Sequence, residues 1–179
     1  MNRQEIFAPY ARVALAAKRE LDLVENRLKN SQDRREIAIL KRQKGDLRHL
    51  IDRCFRQSGD FVPVHASKRA LEYCSRLQLG DVFAIQWAHQ KKFEKQSRRE
   101  KCQLKHEHKI PVSSLVAQLK KVGSLEEAIA LFESQEIVWV LKEEDARLPR
   151  NLRPDPDKAY AEAMIEVVSN PNTIGHLFK

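Results

Sequence analysis

Apolar residues recur at alternating spacings of three and four along the first third of the chain, and that spacing fixes its opening architecture. Ala14, Ala17, Leu21, Val24 and Leu28 form one series. Ile37, Leu40, Leu47, Ile51 and Cys54 form a second, with Lys44 as its one polar break. A heptad seam of this kind is a narrow stripe along an α-helix. Asn30-Ser-Gln-Asp33 separates the two series with turn and capping residues. The expectation is an antiparallel helical hairpin over residues 1–58, with its other faces basic. The seam can be covered within the chain or by a second copy, so a homodimer through the N-terminal helices is one expected partner.

The basic character is unevenly placed. Of the net charge of +8, residues 1–58 contribute +6 (14 basic, 8 acidic) and residues 86–109 contribute +5 (8 basic, 3 acidic). Residues 110–179 carry 8 basic and 11 acidic groups. Charge gathered in this way suits a polyanion, and nucleic acid is the expected partner. No apolar run approaches the roughly 20 residues that span a bilayer. Met1-Asn-Arg-Gln-Glu lacks the apolar core of a signal peptide. A cytoplasmic protein with no membrane partner is expected. Cys54, Cys74 and Cys102 form no Cys-x-x-Cys pair, which argues against a disulfide framework or a cysteine-rich zinc site.

Beyond the break at Ser58-Gly-Asp-Phe-Val-Pro63, a short helix is predicted over roughly Ser67–Leu77. A longer one is predicted from Asp81, as its N-cap, to about Lys101. Its apolar positions, Trp87 and Phe93 among them, thin out into a basic stretch containing Lys91, Lys92, Lys95, Arg98 and Arg99. Gln103–Ile110 alternates as a strand stopped by Pro111. Residues 112–122 read as helix, and Ser124-Leu-Glu-Glu127 is a capping box opening another that ends near Ser134. Glu136–Leu141 is the strongest strand signal, and a helix starts at Lys142 directly after it. A proline-rich basic linker leads to a last helix, predicted over about Asp157–Val168. The fold class expected is mainly α with a small β-hairpin.

The chemistry concentrates in Leu104-Lys-His-Glu-His-Lys-Ile-Pro-Val112 and in the acidic cluster Glu143, Glu144 and Asp145. Strand order brings the two near each other. A carboxylate from each side can hold one hard cation, with water completing its shell. Histidine next to such a site can take a proton from water near neutral pH. Because His106 and His108 share a strand face, they could also chelate zinc together, or act as a pair in a metal-free ribonuclease. An ordinary surface His-x-His pair and an acidic first helical turn account for the same residues without chemistry.

Glu107-His108-Lys-Ile-Pro111 resembles the Asp/Glu-His-x-x-Pro opening of the HNH, or ββα-metal, nucleases. Residues 138–147 resemble the second strand and helix of that motif, with Asp145 where the family carries its last His or Asn. The resemblance covers residues 103–148. The family's central Asn and the zinc cysteines of many members have no counterpart here. It implies a ββα-metal-type core beside the N-terminal helical hairpin. Residues 59–179 would form a nuclease-like domain with flanking helices, making one compact unit with residues 1–58. It further implies a DNA endonuclease of restriction, phage or mobile-element type, RNA not being excluded. Glu107 and Asp145 would be ligands of Mg²⁺ or Mn²⁺, and His108 the general base. Arg147 is then expected at the scissile phosphate, and Lys91, Lys92, Lys95, Arg98, Arg99, Lys105 and Lys109 on backbone phosphates. Glu107-His-Lys109 also fits the Glu-x-Lys half of the PD-(D/E)xK nucleases, with Asp81 as acidic partner and the lysine at the water. The non-enzymatic alternative is a nucleic-acid-binding or adaptor protein.

Overall fold

Two antiparallel helices, α1 (Arg3–Asn30) and α2 (Arg34–Ser58), meet along the seam read from the sequence. The computed structural model describes residues 3–84, 103–152 and 155–170. It divides the chain into two compact units, residues 1–58 with 112–134, and residues 59–111 with 135–179. The hairpin unit thus takes in α4 (Val112–Leu119) and α5 (Leu125–Glu133) as well.

In this first unit Ala14, Ala17, Leu21 and Val24 of α1 are buried, as are Leu40, Ile51 and Cys54 of α2. The seam is consumed within the chain. Phe55 stacks on Phe132 of α5 with ring centroids 4.2 Å apart and planes 10° from parallel. Lys44, the polar break, reaches Glu25 at 3.0 Å, where Arg48 also lies at 3.0 Å. The bond from Lys44, aided by Lys120 and Arg48, holds the Glu25 carboxyl below its ordinary range against the effect of burial. The inter-helix turn is tied by Glu36, which accepts from Ser31 Oγ (2.7 Å) and Arg27 (2.9 Å). The capping box at Ser124 and Glu127 forms as expected.

The second unit is built on a four-stranded sheet in the order β2-β3-β1-β4. Its strands are β1 (Val64–Ser67), β2 (Leu104–His108), β3 (Ile137–Leu141) and β4 (Val167–Ser169). β1 runs parallel to β3, while β2 and β4 pair antiparallel with β3 and β1. Helix α3 (Lys68–Arg76) follows β1, α6 (Lys142–Arg147) follows β3, and α7 (Pro156–Glu162) precedes β4. The class is therefore mainly α with a small β element, but the element is a mixed sheet and not only a hairpin. β1 and β4 are the unanticipated strands. The last helix ends at Glu162, short of the expected Val168, because Met164 turns the chain with φ 53° and Ile165 re-enters the core. That core packs Val138 and Val140 of β3 against Leu148, Ala159, Tyr160, Ala163 and Ile165. Among the described residues no helix is long and apolar enough to cross a membrane.

Candidate functional site

β2 pairs with β3 in unbroken register from Leu104↔Leu141 to His108↔Ile137. Side chains alternate along such a strand, and directly opposed residues share a face. Lys105 and Glu107 therefore stand on the face of Val140 and Val138. Helix α6 starts immediately after β3 and packs on both strands. Its third acidic residue, Asp145, accepts from the Lys105 ammonium, which also lies 3.5 Å from Glu107 Oε2. The Glu107 and Asp145 side chains are 14% and 16% exposed, so the pair is sheltered but open to solvent on one side. The two carboxylates expected to share a cation do converge, and the cation between them is the ammonium of Lys105.

His108 is not with them. As the neighbour of Glu107 on a regular strand, it points to the opposite sheet face. There it is buried beside His106, the ring centroids 6.1 Å apart at 84°. The His106 ring lies edge-on to Trp139 at 4.9 Å. A β-carbon built on Gly59 would stand 3.5 Å from His108 Nε2 and 3.7 Å from His106 Cε1. A water on a cation between Glu107 and Asp145 is out of reach of His108, because the sheet intervenes.

The other acidic residues of α6 have different partners. Glu143 pairs with Arg69 at the surface. Glu144 is buried, accepting from Ser67 Oγ at 2.6 Å and from the Leu141 amide at 2.8 Å. Ser67 in turn caps α3 by accepting from the Ala70 amide. Glu144 therefore joins the starts of two helices and is structural. Arg147 is exposed at the end of α6. Asp81 accepts from the Phe83 amide at 3.0 Å at the start of a short 3-10 turn, Val82–Ala84, and the helix expected from there to about Lys101 lies outside the described residues. Lys91, Lys92, Lys95, Arg98 and Arg99, with Trp87, Phe93 and Cys102, lie outside the described residues.

A second charged group occupies the same face, and sequence reasoning missed most of it. Lys109 Nζ lies 3.0 Å from Glu136 and 3.2 Å from Asp157. Burial opposes its charge, but the two carboxylates outweigh burial and raise its pKa. Glu136 also lies 3.4 Å from His65 Nε2. On β1, His65 is in register with Val138, as Glu107 is on β2. The imidazole on the carboxylates' face is thus His65, not His108. Burial lowers its pKa, partly offset by Glu136, and its Nδ1 is buried with no partner among the described residues. The available signal was Pro63-Val-His-Ala-Ser67, a short β-type run whose alternation puts His65 and Ser67 together.

Glu107 and Asp145 offer only oxygen donors, which suits a hard cation held by two carboxylates, water and a substrate phosphate. No group of three or more His, Cys, Asp or Glu is arranged to hold a metal among the described residues. Cys54 and Cys74 are both buried. Comparison with known protein families, with curated proteins and with solved structures yields no match.

Proposed function

We propose that this chain is a metal-dependent phosphodiesterase acting on nucleic acid, most simply a cytoplasmic DNA endonuclease. The observation that carries the reading is the convergence of Glu107 and Asp145, from β2 and α6, on one positive charge. The sequence of antiparallel strand, strand and helix around that point supports it, as does the surplus of basic residues. Glu107 and Asp145 would hold Mg²⁺ or Mn²⁺, which when bound supplies charge stabilisation at the phosphate and the leaving oxygen. Lys105, which lies beside both carboxylates, would then meet a phosphate oxygen. His108 has no part in this form of the site. On the other sheet face it is buried beside His106.

Plasmid and RNA cleavage with Mg²⁺, Mn²⁺ or EDTA tests the reading. Wild-type protein should cut only with metal, and Glu107→Gln and Asp145→Asn should each lose ~100-fold or more in rate, the loss typical of damaged metal binding. His108→Ala should cut normally once corrected for folded fraction. Loss in Lys109→Ala with Lys105→Ala intact would favour the Glu-x-Lys assignment, in which Lys109 shares the face of Glu107.

The competing reading is a nucleic-acid-binding module without chemistry. The exposed residues Arg35, Arg42 and Arg53 support it, since they fall on one side of α2 at helical spacing. Retarded but uncut DNA in every metal would decide for it.

A further inference from the structure

Helix α2 carries its basic residues in a heptad pattern of their own, on the side away from the seam. Arg34-Arg35, Lys41-Arg42 and Arg48-His49 follow one another every seven residues, and Arg56 continues the series. All are exposed. Helical geometry sorts them into two rows, Arg34, Lys41 and Arg48 in one, Arg35, Arg42, His49 and Arg56 in the other. Ala38, Gly45 and Asp52 form the strip between the rows. Ala38 and Gly45 are exposed and small, and a β-carbon built on Gly45 meets nothing within 4 Å. The two rows therefore border a shallow trough. Beside its third pair lies a groove of about 470 Å³ between α2 and α4, where Lys120 and Ser113 join Arg48 and His49, with Val116 and Ala117.

We propose that this face is a docking track for the phosphate backbone of a nucleic-acid duplex. Three observations select that occupant. The first is unspent charge. The side chains of Arg34, Arg35, Lys41 and Arg42 have no ion-pair partner among the described residues. The carboxylates of α2 are engaged or lie off the trough. Glu36 pairs with Arg27 and Asp52 with Arg56, and Asp46 falls beyond the second row. Lys44, Arg48 and Lys120 all reach Glu25, three cations to one carboxylate. The second observation is shape. From Arg34 to Arg56 the rows run about 33 Å at 1.5 Å per residue, close to the roughly 34 Å of one duplex turn. A line of charge this long and one helix face wide suits a strand of backbone better than the plane of a lipid surface. The third is composition. No exposed position of α2 carries Phe, Tyr or Trp, the platforms on which unpaired bases stack. Phosphate contacts of this kind hold a duplex without reading its sequence. The proposal rests on nucleic acid being the partner, and not on cleavage at Glu107 and Asp145.

Binding of the full chain to a short fluorescent DNA duplex, followed by anisotropy in EDTA over a range of salt, tests it without cleavage. Arg35→Gln/Arg42→Gln removes two free charges and should weaken binding about tenfold. It should also make the slope of log affinity on log salt shallower by about 1.8, at about 0.9 per phosphate contact. Arg12→Gln/Arg19→Gln removes the same charge from exposed positions of α1 and should shift the slope by less than half as much. Circular dichroism should be unchanged in both, glutamine being a good helix former. A single strand of the same length, and vesicles of phosphatidylserine and phosphatidylcholine, should bind less well than the duplex. Duplex binding that the α2 variant leaves as it is, or that both double variants weaken equally, overturns the track and leaves nucleic acid as the partner. Tighter binding to the single strand or to the vesicles also overturns it. Failure of the wild type to bind any nucleic acid at low salt removes both the track and the nucleic-acid reading.

Discussion

Asp145 of α6 and Lys105 of β2, 40 residues apart in sequence, form an ion pair that also engages Glu107. One ammonium thus keeps two sheltered carboxylates together. Removing it leaves them facing each other without a counter-charge, and like charges so placed favour the uptake of a proton or a cation. Lys105→Met should therefore lower stability in EDTA by about 1 kcal/mol, a modest figure because the lysine is more than one-third exposed. The same variant should bind Mn²⁺ more tightly than wild type, having lost the competing charge. Titration followed by electron paramagnetic resonance reads this directly. Equal or weaker Mn²⁺ binding in Lys105→Met would mean that the pair serves the ion pair alone.

The neighbouring glutamates of α6 separate structural from surface roles. Glu144 is 1% exposed and accepts from both Ser67 and the Leu141 amide. Glu144→Ala leaves a buried hydroxyl and a buried amide unsatisfied and should cost about 2–4 kcal/mol. Glu143 pairs with Arg69 in solvent. Glu143→Ala should change stability by under about 0.5 kcal/mol, as exposed ion pairs do. Urea midpoints of the two variants give the comparison, and equal midpoints would contradict this division.

The sequence made the helical hairpin legible because its signal is local: periodicity, turn residues and caps all lie within the segment they shape. The same holds for the capping box at Ser124 and for β3, whose five residues are all buried. The site was legible in half. Sequence spacing brought Glu107 and Asp145 to one place, but proximity along the chain says nothing of sheet face. Glu107 and His108 are neighbours, and a regular strand therefore sends them apart. Lys105, two residues before Glu107, shares its face by the same rule. β1 and β4 were hidden for another reason. They are four and three residues long, and what stabilises them is pairing with distant strands. Val167 and Val168 also fit the apolar spacing of the helix before them until Met164 breaks it.

The stacked pair Phe55 and Phe132 joins α2 to α5 at the centre of the first unit, both rings fully buried. Truncating either removes a large apolar area and leaves a cavity between helices already anchored along the seam. Phe55→Ala and Phe132→Ala should each cost about 3–5 kcal/mol. The double variant should cost less than the sum, because contacting residues couple. Chemical denaturation of the three variants measures the coupling, and strict additivity would show that the rings act independently.

His65 gives the second unit a pH dependence whose sign follows from its burial. Its folded pKa lies below the ordinary value of 6.5, since desolvation disfavours the imidazolium more than Glu136 favours it. In the unfolded chain the same ring takes up its proton near pH 6.5. Between those two values the unfolded state binds more protons, so acidification favours unfolding. The contribution is fully present above the unfolded pKa and is lost as the pH falls through the folded one. Wild-type urea midpoints should fall between about pH 7.5 and pH 5.5, above the range where most carboxylates titrate. His65→Gln, which keeps a polar group near Glu136 but does not titrate, should flatten that slope. A slope unchanged by His65→Gln would assign the effect to another imidazole.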